Sequence, residues 1–140
     1  MIRIDPEPWA AMLGHARAAY PIECCGAMLG SKKDGLKHVV LAIPLPNAFD
    51  GPRESRYEVR PEDLLAVTRE ARARGLELIG IYHSHPDRDA CFSDLDLRNS
   101  CSWYSFLVLS VRKGVFDHAN CWLPDAAQTA AAREELLIPG

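Results

Sequence analysis

Two histidines, His83 and His85, stand two residues apart, and after a seven-residue stretch Ser93-Asp94-Leu95-Asp96 follows. In an extended strand alternate side chains share a face, so the two imidazoles point at one position. Pro86 ends the strand and leaves that position at an exposed strand end, where binding sites commonly lie. By themselves such histidines are more often surface or hydrogen-bonded residues than metal ligands. Ser93 with an acid three residues on reads, in isolation, as a helix cap worth about 1 kcal/mol. Their order along the chain joins the two features, because the intervening loop is long enough to fold a new helix back beside the strand. Asp96 would then complete a two-histidine, one-carboxylate zinc site whose fourth position holds water. Zinc with three protein ligands brings the pKa of that water to about 7, making a nucleophile toward carbonyls. The general base such chemistry needs is expected at Glu23, just before Cys24-Cys25-Gly26, and the Ser93 hydroxyl would serve an oxyanion as donor.

The elements that must carry these residues follow from periodicity and punctuation. Residues 6–20 space Trp9, Leu13 and Ala16 as one helical face before Pro21 stops the helix. Strands are expected over 24–31 and 36–45, joined by the polar turn 32–35. A polar loop at 47–55, able to face a ligand, leads to a short strand at 57–59. Pro61-Glu62-Asp63 opens a second helix whose stripe is Leu64, Leu65, Val67 and Ala71, with Gly75 as its stop. Residues 76–84 are a mainly apolar run too short for a helix, hence a strand covered on both faces. A helix over about 93–101 and strands at 105–111 and 115–123 follow. The C-terminal segment reads two ways: 125–133 is alanine-rich and favours helix, whereas 134–138 suits a short edge strand. The class is α/β, one domain over residues 1–140 with a mixed central sheet flanked by helices.

Composition narrows the function. The chain has 140 residues, 48% apolar and 25% charged, and a net charge of -3 from interspersed acids and bases, which argues against nucleic acid or an anionic membrane as partner. The N-terminus has neither the basic region nor the apolar stretch of a signal peptide, and no run reaches membrane-spanning length, so a cytoplasmic location is expected. The five cysteines show no CxxC spacing, and most read as reduced, buried small hydrophobes. Cys91, in the loop beside the candidate site, is the one for which reactivity is considered. His15, His38 and His118 lie in other elements and read as surface residues.

Glu23, His83-Ser84-His85 and Ser93-Asp94-Leu95-Asp96 together resemble the E…H-x-H-x7-S-x-x-D motif of the JAMM (MPN-plus) metallopeptidases, with every position filled. The run Pro21 through Gly26 into Leu29-Gly30 is similar to the glutamate-bearing segment, and Arg56-Tyr57 before the Pro61 helix is similar to short prokaryotic members. The resemblance implies an MPN fold with cytidine-deaminase-like layering, zinc on His83, His85 and Asp96, proton exchange by Glu23, and oxyanion stabilisation by Ser93. It also implies cleavage of a peptide or isopeptide bond after the C-terminal glycine of a ubiquitin-like or sulfur-carrier protein ending in Gly-Gly, with the 47–57 loop clamping the extended tail. Phe92 stands where the family often has proline before the serine, which bears on loop rigidity but not on the ligands.

A non-catalytic MPN scaffold is the alternative of another class, since a fold persists after its chemistry is lost. The complete residue set weighs against it. A zinc nucleobase deaminase would need H-x-E and P-C-x-x-C, which are absent. A closed structural zinc site would need a fourth ligand, and none is positioned.

Overall fold

Pro6 and Pro61 begin the two long helices, where a missing N–H costs nothing, and acids follow in both first turns. The computed structural model describes residues 1–140. In chain order it holds β1 (Ile2–Ile4), α1 (Pro6–Ala19), β2 (Cys25–Lys33), β3 (Leu36–Leu45), α2 (Pro61–Ala73), β4 (Glu77–Pro86), α3 (Asp94–Arg98), β5 (Ser105–Arg112), β6 (Val115–Pro124), β7 (Ala131–Glu134) and β8 (Leu136–Leu137). No helix is long and apolar enough to cross a membrane.

The strands form one mixed sheet of order β7-β6-β5-β4-β2-β3-β1-β8. Its two outermost strands are neighbours in the chain, separated by Glu135 alone, so the sheet must curl until its edges approach. The Ile2 amide closes the approach by donating to the Glu135 carbonyl at 2.9 Å. Inside the curl lies α1, with Trp9, Met12 and Ala16 packed against Met28, Val39, Tyr82, Leu107 and Leu109. On the outer face Val67 and Ala71 of α2 cover Ala27, Leu29 and Leu78. Met28 therefore faces one helix and its neighbours Ala27 and Leu29 the other, which is why the central strands read as unbroken apolar runs.

Tight curling needs bulges and glycine. The β2 register shifts beside Leu29 against both neighbours. A Cβ on Gly30 would stand 1.7 Å from the His38 carbonyl oxygen, and one on Gly80 would stand 1.9 Å from that of Ser105. At the pinched end Lys37 of β3 donates to Ser105 of β5 and to Glu134 of β7, both at 2.8 Å, and the Ser105 hydroxyl donates to Glu134 at 2.6 Å. Burial alone would raise the Glu134 pKa, but the bonds from Lys37 and Ser105 outweigh it and hold the carboxyl below its ordinary value. Glu134→Gln is expected to destabilise the protein by about 2 kcal/mol near neutrality, between the values for exposed and fully buried pairs. Because the folded pKa is the lower one, the contribution is complete above the unfolded value of about 4.3 and vanishes as pH falls through the folded one. Denaturant melts of wild type and variant should accordingly converge in acid.

Three expectations from the sequence are corrected. No strand forms at 57–59: the segment's backbone is claimed by a side chain instead, with Asn47 Oδ1 accepting from Glu58 N and Asn47 Nδ2 donating to the Arg56 carbonyl. The alanine-rich 125–133 stretch is not a helix. Asp125 caps a turn through Thr129 and Ala130, and the chain then pairs as β7 with the open edge of β6, a tertiary gain that overrides alanine's weak propensity. The short edge strand expected in 134–138 is present as β8, parallel to β1. The helix expected over 93–101 is the five-residue α3.

Candidate metal centre

β4 runs parallel to β5, so the connection between them must leave the carboxyl end of β4 and cross over the sheet, and that connection carries α3. The start of α3 is thereby placed beside the strand end that bears the two histidines. His83 and His85 are both fully buried, between β2 and β5. Their Nε2 atoms stand 3.2 Å apart, and the Asp96 carboxylate spans them with Oδ1 3.2 Å from His83 and Oδ2 3.0 Å from His85.

This donor set fits a metal ion. His85 Nδ1 lies 2.8 Å from the Asp89 carbonyl oxygen, which can only accept, so the ring proton belongs on Nδ1 and the Nε2 lone pair is free. Burial raises the Asp96 pKa, but the two imidazoles outweigh it and hold the carboxyl far below the carboxylate range. Burial lowers the His83 pKa, and the Asp96 charge more than reverses this. Two imidazole nitrogens and an ionised carboxylate thus converge on one point that calls for positive charge. Ligand atoms at about 2.0–2.1 Å from a tetrahedral zinc lie roughly 3.3 Å apart, close to the separations observed.

Glu23 sits just before β2 and is 1% exposed. Its ligand-capable oxygen and those nitrogens of His83 and His85 all lie within 4.8 Å of one another. Arg88 donates to Oε2 at 2.5 Å, while Oε1 makes no hydrogen bond within the protein. Burial pushes the Glu23 pKa up, against the pull of His83, His85 and Arg88. Ser93 caps α3 as the spacing implies: its Oγ accepts from Asp96 N and its own N–H donates to Asp96 Oδ2, each at 3.0 Å. The capping box does more than end a helix, because it also fixes the carboxylate that spans the histidines. The serine's hydroxyl proton stays available for donation.

All five candidate residues meet in one place. Four further residues take part that the sequence did not single out as site residues. Ser84, between the histidines, accepts from Cys24 N at 2.9 Å and ties the Glu23 segment to β4. Asn47 donates to the Glu23 carbonyl at 3.0 Å as well as holding 56–58. Tyr57 stacks on the His83 ring with centroids 4.4 Å apart. Arg88 pairs with Glu23. Asn47 and Tyr57 fall in the 47–57 loop expected to face the substrate, and Tyr57 also in the Arg56-Tyr57 pair that is similar to short prokaryotic members, whereas nothing local marked Ser84 or Arg88. Beyond Tyr57 opens a cleft of about 380 Å³, its apolar wall including Val59, Leu64, Ile81, Tyr104 and Phe106.

Cys24, Cys25 and Cys121 are buried, and burial pushes the Cys24 and Cys25 thiols up to about 11 and about 12, as inert packing residues require. Cys91 is exposed. His15 is not a free surface residue: its Nδ1 lies 2.8 Å from the Tyr82 hydroxyl.

Residues 6–123 match the domain family described as prokaryotic homologs of the JAB domain. The chain is 33% identical over 106 residues to a desampylase from Haloferax volcanii, covering 71% of this chain and 73% of the relative. A protein from Desulfitobacterium hafniense solved in solution superposes with a TM-score of 0.85 at 27% identity, covering 99% of this chain and 93% of that one. A JAB1/MPN domain protein from Archaeoglobus fulgidus, at 18% identity and a TM-score of 0.62 over 100% of both chains, shares the fold. The family match runs from α1 through β6 and so takes in the whole centre, and the chain belongs to the prokaryotic JAB family of JAMM-type hydrolases.

Proposed function

We propose that this protein is a zinc-dependent peptidase or isopeptidase that cuts after the C-terminal glycine of a ubiquitin-like or sulfur-carrier protein ending in Gly-Gly. The observation that carries the reading is the convergence of His83, His85 and Asp96 at 3.0–3.2 Å with a buried carboxylate, Glu23, beside them. Zinc held by those three residues would supply Lewis acidity, acidifying a coordinated water and polarising the scissile carbonyl. Glu23 takes the proton from the attacking water and returns it to the leaving nitrogen, a shuttle suited to a carboxyl whose pKa burial has raised. Ser93 donates a hydrogen bond from its hydroxyl to the developing oxyanion from a position fixed by the α3 cap. The strand-free segment at 56–59 lines the apolar cleft, which is suited to receiving an unfolded substrate tail.

The Haloferax volcanii relative is a desampylase, which supports a conjugate rather than a general protein substrate. Residues 1–140 act as one catalytic domain. Five free thiols and no disulfide suit a reducing compartment, consistent with the cytoplasm. A non-catalytic scaffold is disfavoured because such a module has no need of Glu23 and Ser93 in this geometry.

With zinc added, the purified protein is expected to release a Gly-Gly carrier from its conjugate, to stop when a chelator is added and to resume when zinc is restored. Conjugates left uncut, in a preparation where a known deconjugating enzyme cuts them, would sink the reading.

A further inference from the structure

We propose that His118, Asn120 and Trp122, on one face of β6, are positioning residues of the metal centre that hold the backbone orienting His85. The inference rests on the reading of His85 as a ligand. It starts from the loop between β4 and α3, where three successive carbonyls are each claimed by a side chain. Arg88 O accepts from Ser110 Oγ at 2.5 Å, Asp89 O from His85 Nδ1 at 2.8 Å, and Ala90 O from both Asn120 Nδ2 at 3.2 Å and Trp122 Nε1 at 3.1 Å. The Ala90 N–H donates to His118 Nε2 at 3.0 Å. His118 can accept there because its Nδ1 lies 2.6 Å from Asp117 Oδ2, which draws the ring proton to the opposite nitrogen.

The three β6 residues are alternate in sequence, so a strand necessarily presents them together. Between them they satisfy both polar groups of one residue, Ala90, which is 0% exposed. The peptide joining Asp89 to Ala90 contains the Asp89 carbonyl and the Ala90 N–H in a single rigid plane. A bond from His118 to that N–H therefore sets the direction of the carbonyl that His85 Nδ1 meets. Through one peptide plane, β6 fixes the tautomer and the ring orientation of a candidate ligand on β4. The carbonyl has no side chain to mutate, which makes the β6 residues the accessible handle on it.

The test measures zinc affinity of the full chain by chelator competition, together with the visible spectrum of the cobalt-substituted protein. Loss of a partner that orients a ligand weakens metal binding by about 10–100-fold. His118→Ala is expected to fall in that range and to shift the cobalt bands. His118→Gln, whose amide oxygen can accept from Ala90 N–H, is expected to recover most of the affinity and the wild-type spectrum, which a purely packing role for the ring would not produce. Trp122→Phe removes one donor while keeping the aromatic ring, and it reports independently if His118→Ala proves unfolded by circular dichroism. Its expected loss is smaller, because Asn120 still serves the same carbonyl.

Wild-type affinity and spectrum in folded His118→Ala would overturn the inference, as would a Gln variant no better than the Ala variant. If His118→Ala is unfolded, unchanged affinity and spectrum in Trp122→Phe overturn it instead. A wild-type chain that binds neither zinc nor cobalt would overturn the metal reading itself. The two failures are therefore distinguishable.

Discussion

Glu23→Gln is expected to lower turnover about a thousandfold while leaving bound zinc unchanged, within the range that positioned acid–base groups contribute. The amide occupies the same volume and still accepts a hydrogen bond from Arg88, but it cannot take up a proton. Arg88 itself is 38% exposed and can return its charge to water, so the lost ion pair should cost the fold little. Metal retention is the informative half of the result. The ligand atoms of His83, His85 and Asp96 stand 3.0–3.2 Å from one another, whereas Glu23 joins the histidines only within the wider 4.8 Å. Metal analysis and single-turnover kinetics on the same preparation check both halves. A variant that loses its zinc would make Glu23 a ligand and remove the assigned base.

The second large effect is expected at Asp96. Asp96→Asn keeps an oxygen to accept from the Ser93 N–H and so preserves the α3 cap, but it removes the charge that faces both imidazoles. Zinc affinity should fall by at least about a hundredfold, the upper end of what loss of an outer-shell partner alone produces. Hydrolysis at limiting zinc should fall with it. Asp96→Ala should add a stability loss of about 1 kcal/mol, because the cap goes as well. Chelator competition separates the two terms from thermal melts of the metal-free proteins. An Asn variant that binds zinc as tightly as wild type would show that Asp96 serves the helix alone.

Four of the five candidate residues are legible because they announce themselves through local spacing, whereas Glu23, by itself an ordinary loop glutamate, is read from its context before Cys24-Cys25-Gly26. His83 and His85 share a strand face by alternation, and Ser93 and Asp96 share a helical turn. The Leu64, Val67 and Ala71 stripe and the apolar run of β4 are legible for the same reason, since burial on one face or two leaves a period in the sequence. The short strand expected at 57–59 and the helical alternative left open at 125–133 fail where local preference meets a partner elsewhere in the chain. Asn47 takes the first segment's backbone, and the edge of β6 takes up the end of the second.

The sequence by itself therefore carried the α/β class, the hydrolase family resemblance and the expectation of a zinc-type donor set, because these depend on residue type and on spacings of a few positions. Only the tertiary structure decided that the sheet curls around α1 with its edges joined at Glu135, that Arg88 reaches Glu23, and that His118 grips the loop behind His85 instead of lying free on the surface. Such contacts join segments far apart in the chain through single hydrogen bonds, and these leave no periodicity to read. They exist only once burial has brought the strands into register.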